Sequence, residues 1–259
     1  MTDTEIRVDS RGLKLETLML KPHRSNYSRK SEMNLYEEQV AKMLDVSVLQ
    51  ATNTKSDIEK LIIAARQYQF ICIFSLPCYL PDLIAAMKNT PINVGAPIGF
   101  PTGAETTQIK AFQAKSLLEI GCKEFDMVMN IGWLKSGLYN KVIHDIRVVR
   151  ESIGNQPLKV IIEVTYLSDS EIIDACKIVM DSSAEYVKTG TGWAPMPTTM
   201  NHIKIMTQTV HDKIKIKAAG GICDYQTICR MYEMGVSRFG VSLKSGIQIM
   251  QQIKAANTL

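Results

Sequence analysis

Residues Leu158–Thr191 read LKVIIEVTYLSDSEIIDACKIVMDSSAEYVKTGT, and this stretch decides the fold. Leu158–Val164 is nearly continuous in apolar residues and rich in Val and Ile, as a strand covered on both faces should be. Asp169–Met180 carries its apolar residues at helical spacing and opens with polar cap-type residues. Tyr186–Thr189 is a second short strand run. A strand, an amphipathic helix and a strand in that order make a βαβ unit, whose two strands run parallel.

The same unit recurs on both sides. Upstream strand runs are Val46–Gln50, Phe70–Phe74, Asn93–Ile98 and Glu124–Asn130; downstream ones are Ile214–Ala218 and Arg238–Ser242. Helical patterns fill the gaps at Asn53–Gln69, Pro81–Lys88, Thr106–Ile120, Leu138–Ile153, Thr198–His211, Asp224–Met234 and Ser245–Asn257. In the first of these, Ile58, Leu61, Ile62 and Ala65 share one face. Eight strand–helix units without a break in composition predict one closed α/β structure, a (β/α)8 TIM barrel, over residues 44–259. A doubly wound open sheet is the alternative, and it lacks its GxGxxG signature after an early strand. In a barrel, every motif at a strand end converges on one mouth. Residues 1–43 fall outside the scheme as an N-terminal arm or helical extension. Gly12–Leu20 reads as a short helix and Lys21–Lys30 as basic and turn-rich; a solvated arm, a lid under the barrel and a subunit contact all stay open.

Composition narrows the function. The 259 residues are 46% hydrophobic and 22% charged, with formal charge +4, which suits an anionic small substrate but is too mild to argue for nucleic acid. The six cysteines form no CxxC pair and no metal-finger spacing, the pattern of reduced thiols in a cytosolic protein. No apolar run is long enough to span a membrane, and MTDTEIRVDSRG lacks a signal-peptide core. A cytoplasmic protein that binds neither membrane nor nucleic acid is expected.

Two lysines on consecutive strand runs carry the chemistry: Lys188 in AEYVKTGT and Lys217 in KIKIKAAGG. A surface lysine is protonated at pH 7 and a poor nucleophile. Desolvation and a second ammonium nearby pull one amine toward neutrality, and a neutral amine can form a Schiff base with a carbonyl. The competing reading is two lysines snorkelling from strand ends. Asp126, in the apolar run Glu124–Asn130, needs a partner or a task; it is the candidate proton-transfer group, against a purely stabilising ion pair. Lys159 and Glu163 alternate onto one face of the fifth strand and stay outside the catalytic set. Gly190-Thr-Gly192, Gly220-Gly221 and Gly240-Val-Ser242 follow late strands, where barrel enzymes often hold phosphate. Cys72 reads as a packing thiol, and Trp193 as either a pocket wall or lid packing. None of the histidines His23, His144, His202 and His211 falls where a catalytic base is expected.

The motifs resemble the deoxyribose-phosphate aldolase family of class I aldolases. The resemblance runs from Leu44 to the last helix and rests on Ile98–Gly103 (IGFPTG), Glu124–Gly132 (EFDMVMNIG), Leu158–Glu163, Tyr186–Gly192 (YVKTGTG), Lys217–Ile222 (KAAGGI) and Arg238–Ser242 (RFGVS). It implies Lys188 as the Schiff-base lysine, Lys217 as the neighbour that lowers its pKa, and Asp126 as the proton relay. It also implies Asp45 near the substrate at the end of the first strand, with Thr191, Gly192, Gly220, Gly221, Gly240 and Ser242 lining the phosphate end. The implied reaction is reversible cleavage of 2-deoxy-D-ribose 5-phosphate to acetaldehyde and D-glyceraldehyde 3-phosphate. That reaction needs no metal or organic cofactor and belongs to nucleoside catabolism; a homo-oligomer is compatible with it. The chain departs from the family pattern with Cys223 where Arg is common, Leu243 where a second Ser is common, and Asp45-Val-Ser47 for Asp-His-Thr. The first two changes bear on the phosphate end, where Lys244 is the candidate replacement cation. A sibling class I aldolase with another substrate, and a non-catalytic binding barrel, are the competing readings.

Overall fold

The computed structural model describes residues 35–256. The expected Gly12–Leu20 helix and the basic Lys21–Lys30 stretch lie outside them. Strands β1 (Leu44–Val48), β2 (Cys72–Ser75), β3 (Asn93–Ile98), β4 (Glu124–Val128), β5 (Leu158–Ile161), β6 (Tyr186–Lys188), β7 (Lys215–Ala219) and β8 (Val236–Ser242) pair in sequence order. All pairs are parallel, and β8 pairs back onto β1 from Leu44↔Phe239 to Ser47↔Ser242. That last ladder closes the barrel and excludes the open sheet.

Helices α2 (Lys55–Tyr68), α3 (Leu80–Met87), α4 (Thr107–Glu119), α6 (Tyr139–Ser152), α7 (Asp169–Asp181), α8 (Met200–Val210), α9 (Tyr225–Glu233) and α10 (Leu243–Ala256) connect the strands or end the described chain. Two short helices join them: α1 (Glu37–Ala41), in the stretch read as an arm or helical extension, and α5 (Ile131–Lys135), which the sequence pattern does not mark. Cap residues set several helix starts. Thr106, Ser168, Thr199 and Asp224 each accept a backbone N–H from the first turn with the side chain, satisfying donors that the helix leaves unpaired. On α2, Ile58, Leu61 and Ala65 are buried against the barrel as their spacing requires, while Ile62 lies at the edge of that face.

Several strand ends differ from the sequence reading. β1 starts two residues earlier, so Asp45 is its second residue rather than near its end. β5 stops at Ile161; Glu163 has a left-handed backbone (φ 49°) and caps a 3-10 turn, so strand alternation does not reach it. Apolar residues continue past the true strand end because that turn is itself buried at Val164.

A buried ion pair ties α4 to α6. Lys110 Nζ lies 2.7 Å from Asp145 Oδ2, and both side chains are fully buried. Lys110 also donates to the Val128 carbonyl at 3.1 Å, and Thr107 donates to Asp145 Oδ1 at 2.8 Å. The pair thus anchors two helices to the end of β4, the strand that carries Asp126.

Candidate active site

Register brings the charged residues together. Lys188 is in register with Lys217, Lys217 with Arg238, and Asp126 with Lys159. Side chains on neighbouring strands at about 4.8 Å spacing meet when they share a face, and in a barrel that face is the interior. Asp126 Oδ2 accepts from Lys188 Nζ at 2.7 Å and from Lys217 Nζ at 2.6 Å. Lys217 also touches Asp45 Oδ2 at 2.5 Å. Lys159 Nζ lies 2.5 Å from Glu124 Oε2, 3.3 Å from Asp126 Oδ1 and 3.6 Å from Asp45 Oδ2. Arg238 closes the cluster by contacting Asp45 Oδ1 and Glu124 Oε2. All seven side chains are buried.

Three carboxylates, Asp45, Glu124 and Asp126, therefore face four cations, Lys159, Lys188, Lys217 and Arg238. With every group ionised, the cluster holds one excess positive charge away from water. The cheapest relief is to deprotonate the cation with the fewest anionic contacts. Lys159 touches three carboxylates and Lys217 touches two, whereas Lys188 has only the shared Asp126. Burial pulls the Lys188 amine down to about 8; Asp126 opposes that and Lys217 adds to it. Burial works to raise the Asp126 carboxyl, but Lys188, Lys217 and Lys159 overcome it and hold the group well below the usual carboxylate range. Asp45 is likewise held at about 2, its burial outweighed by Lys217, Lys159 and Arg238. Burial tends to lower Lys159, yet its three carboxylates raise it, so it stays charged.

The cluster floors a cavity of about 860 Å3 that opens at the C-terminal ends of the strands. Every residue expected at the site lines it: Lys188, Lys217, Asp126, Asp45, Thr191, Gly192, Gly220, Gly221, Gly240 and Ser242. Their parts in the wall differ. Gly220 and Gly221 take positive φ, 94° and 82°, a turn that β-carbon-bearing residues adopt with strain. Gly240 makes room instead: a Cβ there would sit 2.9 Å from Ala219 Cβ and 3.2 Å from Lys217 Cε. Thr191 turns both its N–H and its hydroxyl to Glu163, so in this conformation it offers surface rather than a donor. Ser242 precedes α10 directly and accepts the N–H of Ser245 at 3.2 Å. Trp193 spans the mouth, donating its indole N–H to the Leu49 carbonyl at 3.0 Å and meeting Phe100 edge-on at 5.8 Å. Its ring thus lines the cavity and is held by these contacts. Cys72 is fully buried beside Asp45 and Glu124, and burial followed by those two carboxylates pushes its thiol well above the usual range.

Comparison with known proteins shows the family. Residues 39–249 match the model of the DeoC/LacD family of aldolases. The chain belongs to that family. Among its curated relatives, a deoxyribose-phosphate aldolase of Sinorhizobium medicae is 40% identical, covering 90% of this chain and 93% of its own. One of Carboxydothermus hydrogenoformans is 41% identical over 82% of this chain and 94% of its own. Among solved structures, a protein of Coccidioides immitis superposes with TM-score 0.82 at 30% identity, covering 86% of this chain and 88% of its own. A chain described as "QR15, an Aldolase" gives 0.79 at 29%, covering 85% of this chain and 97% of its own.

As a family member the chain is an aldolase, an enzyme that makes or breaks a carbon–carbon bond next to a carbonyl. Among the described residues, no helix is long and apolar enough to cross a membrane. Two members of the ion cluster escaped the sequence reading. Arg238 shares a strand face with Gly240 and Ser242, and Glu124 shares one with Asp126, so alternation pointed both inward. Both sit at the buried end of the cluster, away from the C-terminal strand ends where motifs mark a barrel site. Lys159 does join the network, whereas Glu163 instead fixes the Thr191 loop.

Proposed function

We propose that this aldolase reversibly cleaves 2-deoxy-D-ribose 5-phosphate to acetaldehyde and D-glyceraldehyde 3-phosphate through a Schiff base on Lys188. The observation that carries the reading is the shared Asp126 oxygen beneath the cavity, which leaves Lys188 the least neutralised cation in a cluster with one positive charge too many. With its pKa at about 8, roughly a tenth of Lys188 is free amine at pH 7, against about 3 in 10,000 for an ordinary lysine. That is a gain of about 300-fold in nucleophile.

The amine attacks C1 of the open-chain aldehyde, and the carbinolamine loses water to give a protonated imine. A base removes the C3 hydroxyl proton, the C2–C3 bond breaks, and its electron pair neutralises the iminium as an enamine. D-glyceraldehyde 3-phosphate leaves. Protonation of the enamine at C2 and addition of water release acetaldehyde and regenerate Lys188. Asp126, held ionised between lysines, is suited to pass protons through a water; Lys217 keeps the positive field on the amine. The iminium is the electron sink, so each step balances with this chain's own groups and water.

At the anionic end, the Gly220–Gly221 turn, Ser242 and the first turn of α10 supply backbone dipoles suited to a phosphate. Cys223 and Leu243 also line this wall, and the exposed Lys244 beside them provides a cation. A phosphorylated small sugar and acetaldehyde are thus the proposed partners, in a cytoplasmic, nucleoside-catabolic setting. Borohydride reduction with acetaldehyde, then with deoxyribose 5-phosphate, followed by peptide mass mapping tests the reading. Label on Lys188 with both compounds is expected. Labelling by acetaldehyde without turnover of the sugar phosphate would transfer the chain to a sibling aldolase, and no label with any carbonyl would remove it from imine chemistry.

A further inference from the structure

The barrel floor holds one aromatic ring that the imine reading does not use. Phe74, the third residue of β2, is 2% exposed and lines the cavity. Its ring centroid lies 4.5 Å from Lys217 Nζ and 5.2 Å from Lys159 Nζ. Phe74 is in register with Gly95 of β3, and a Cβ on residue 95 would overlap the ring at Cζ, Cε1 and Cε2. The ring therefore occupies its place only because residue 95 lacks a side chain. Gly95 has no positive φ, so its glycine answers to this contact rather than to a turn.

An aromatic face suits this position better than a carboxylate. Both carboxylates on Lys217 are shared: Asp45 also serves Lys159 and Arg238, and Asp126 also serves Lys159 and Lys188. A further acid would pair with Lys217, but its field would also favour protonated Lys188. A ring quadrupole attracts the cation on its face, falls off steeply with distance and takes up no proton. It also keeps water off the ammonium, which preserves the field Lys217 exerts on its neighbour.

We propose that Phe74, seated over Gly95, is a positioning residue for the aldol reaction: its face packs on Lys217 Nζ, keeps water from that nitrogen and so sets the field in which Lys188 reacts. This rests on the reading of Lys188 as the imine-forming amine. The groups facing the two lysines come from five strands: Asp45 on β1, Glu124 and Asp126 on β4, Lys159 on β5 and Arg238 on β8, with the Cys72 thiol of β2 against Asp45 and Glu124. Of these, only Lys159 also meets the Phe74 ring, at 5.2 Å, and it stays paired with Glu124 when residues 74 and 95 change.

Two substitutions reach the contact from opposite sides. Phe74→Leu removes the ring, and Gly95→Ala keeps it but forces it to tilt away. Leu has no atoms where Cε and Cζ of Phe lie, so the clash partner is gone in the double variant. The experiment measures the rate of borohydride-trapped acetaldehyde on Lys188 against pH for the wild-type chain, both single variants and the double. Each single variant is expected to move the profile alkaline, Phe74→Leu by about one pH unit, with a roughly tenfold slower rate at pH 7. The double variant should match Phe74→Leu rather than sum the two. If Phe74→Leu does not fold, Gly95→Ala with Phe74 intact still carries the test. An unmoved profile in a folded variant that traps acetaldehyde, or additive shifts in the double, overturns the role of Phe74 alone; a wild-type chain that traps nothing overturns the imine reading and this proposal with it.

Discussion

Replacing Lys188 by Met keeps the length of the side chain and removes its charge, which should abolish aldol activity while making the protein more stable at neutral pH. Burial lowers the folded-state pKa of Lys188 from 10.5 to about 8. The folded protein thus holds this proton less tightly than the unfolded chain. Below pH 8 the residue is charged in both states, and the unfavourable transfer of that charge is fully present. As pH rises from 8 to 10.5 the folded state loses its proton first, the unfolded chain binds more protons, and stability rises. Above 10.5 both forms are neutral and the penalty is gone. A shift of that size sets an upper limit of about 3 kcal/mol. Asp126 loses one donor in the variant but keeps Lys217 at 2.6 Å and Lys159 at 3.3 Å, so only part of the gain is forfeited. A net stabilisation of about 1–2 kcal/mol at pH 7 is expected, or roughly 2–8 °C in Tm for a barrel of this size. Urea denaturation of both proteins at pH 7 and at pH 10.5 is the assay, read as the difference between them. The advantage of the variant should shrink toward zero at the higher pH. A Lys188→Met protein less stable than wild type at pH 7, or an advantage that does not change with pH, would refute the argument that Lys188 carries the excess charge.

Removing the neighbour should act the opposite way on the amine. Lys217→Leu deletes the like charge and leaves Asp126 more fully to Lys188, so the rate profile should move alkaline by about one unit or more, and unchanged activity at pH 7 would contradict the role given to Lys217. Asp126→Asn keeps the side-chain shape but cannot relay protons; kcat is expected to fall about 10²–10⁴-fold while Lys188 still traps acetaldehyde, and trapping that falls in step with turnover would reassign Asp126 to holding the amine. Lys110→Met leaves the Asp145 carboxylate buried without its cation and should cost about 3–5 kcal/mol by urea titration. Because that pair lies between α4 and α6, the pH–rate profile of the folded variant should not move; a displaced profile would mean that the helix pair controls the position of β4.

Much of the architecture was legible in local pattern. Repeated apolar runs separated by amphipathic stretches specify eight βα units because strand and helix bury different periodicities, 2 and 3.6. Strand ends were less legible, since burial continues past the last ladder bond: the turn after Ile161 is as apolar as the strand before it. The same blurring hid α5, a single turn packed between a strand and a longer helix.

At the site, the sequence by itself determined which groups were present: two lysines in adjacent strand runs, an acid in an apolar strand, and glycines on the late loops. These are local facts, because residue type and two-residue alternation fix which side chains enter the barrel. Tertiary structure alone decided who touches whom. Closure of β8 onto β1 brings Arg238 to Asp45 across 193 positions of sequence, and the register of β6 with β7 sets Lys188 beside Lys217. Only with those contacts made can the charges be weighed, and that weighing singles out Lys188 as the amine with least reason to keep its proton. The room for Lys217 and for the Phe74 ring was also invisible in the chain, since Gly240 and Gly95 matter for what lies opposite them and not for their own conformation. Chemistry was written in composition and period; its distribution among near-identical side chains required distances between strands that only a closed barrel defines.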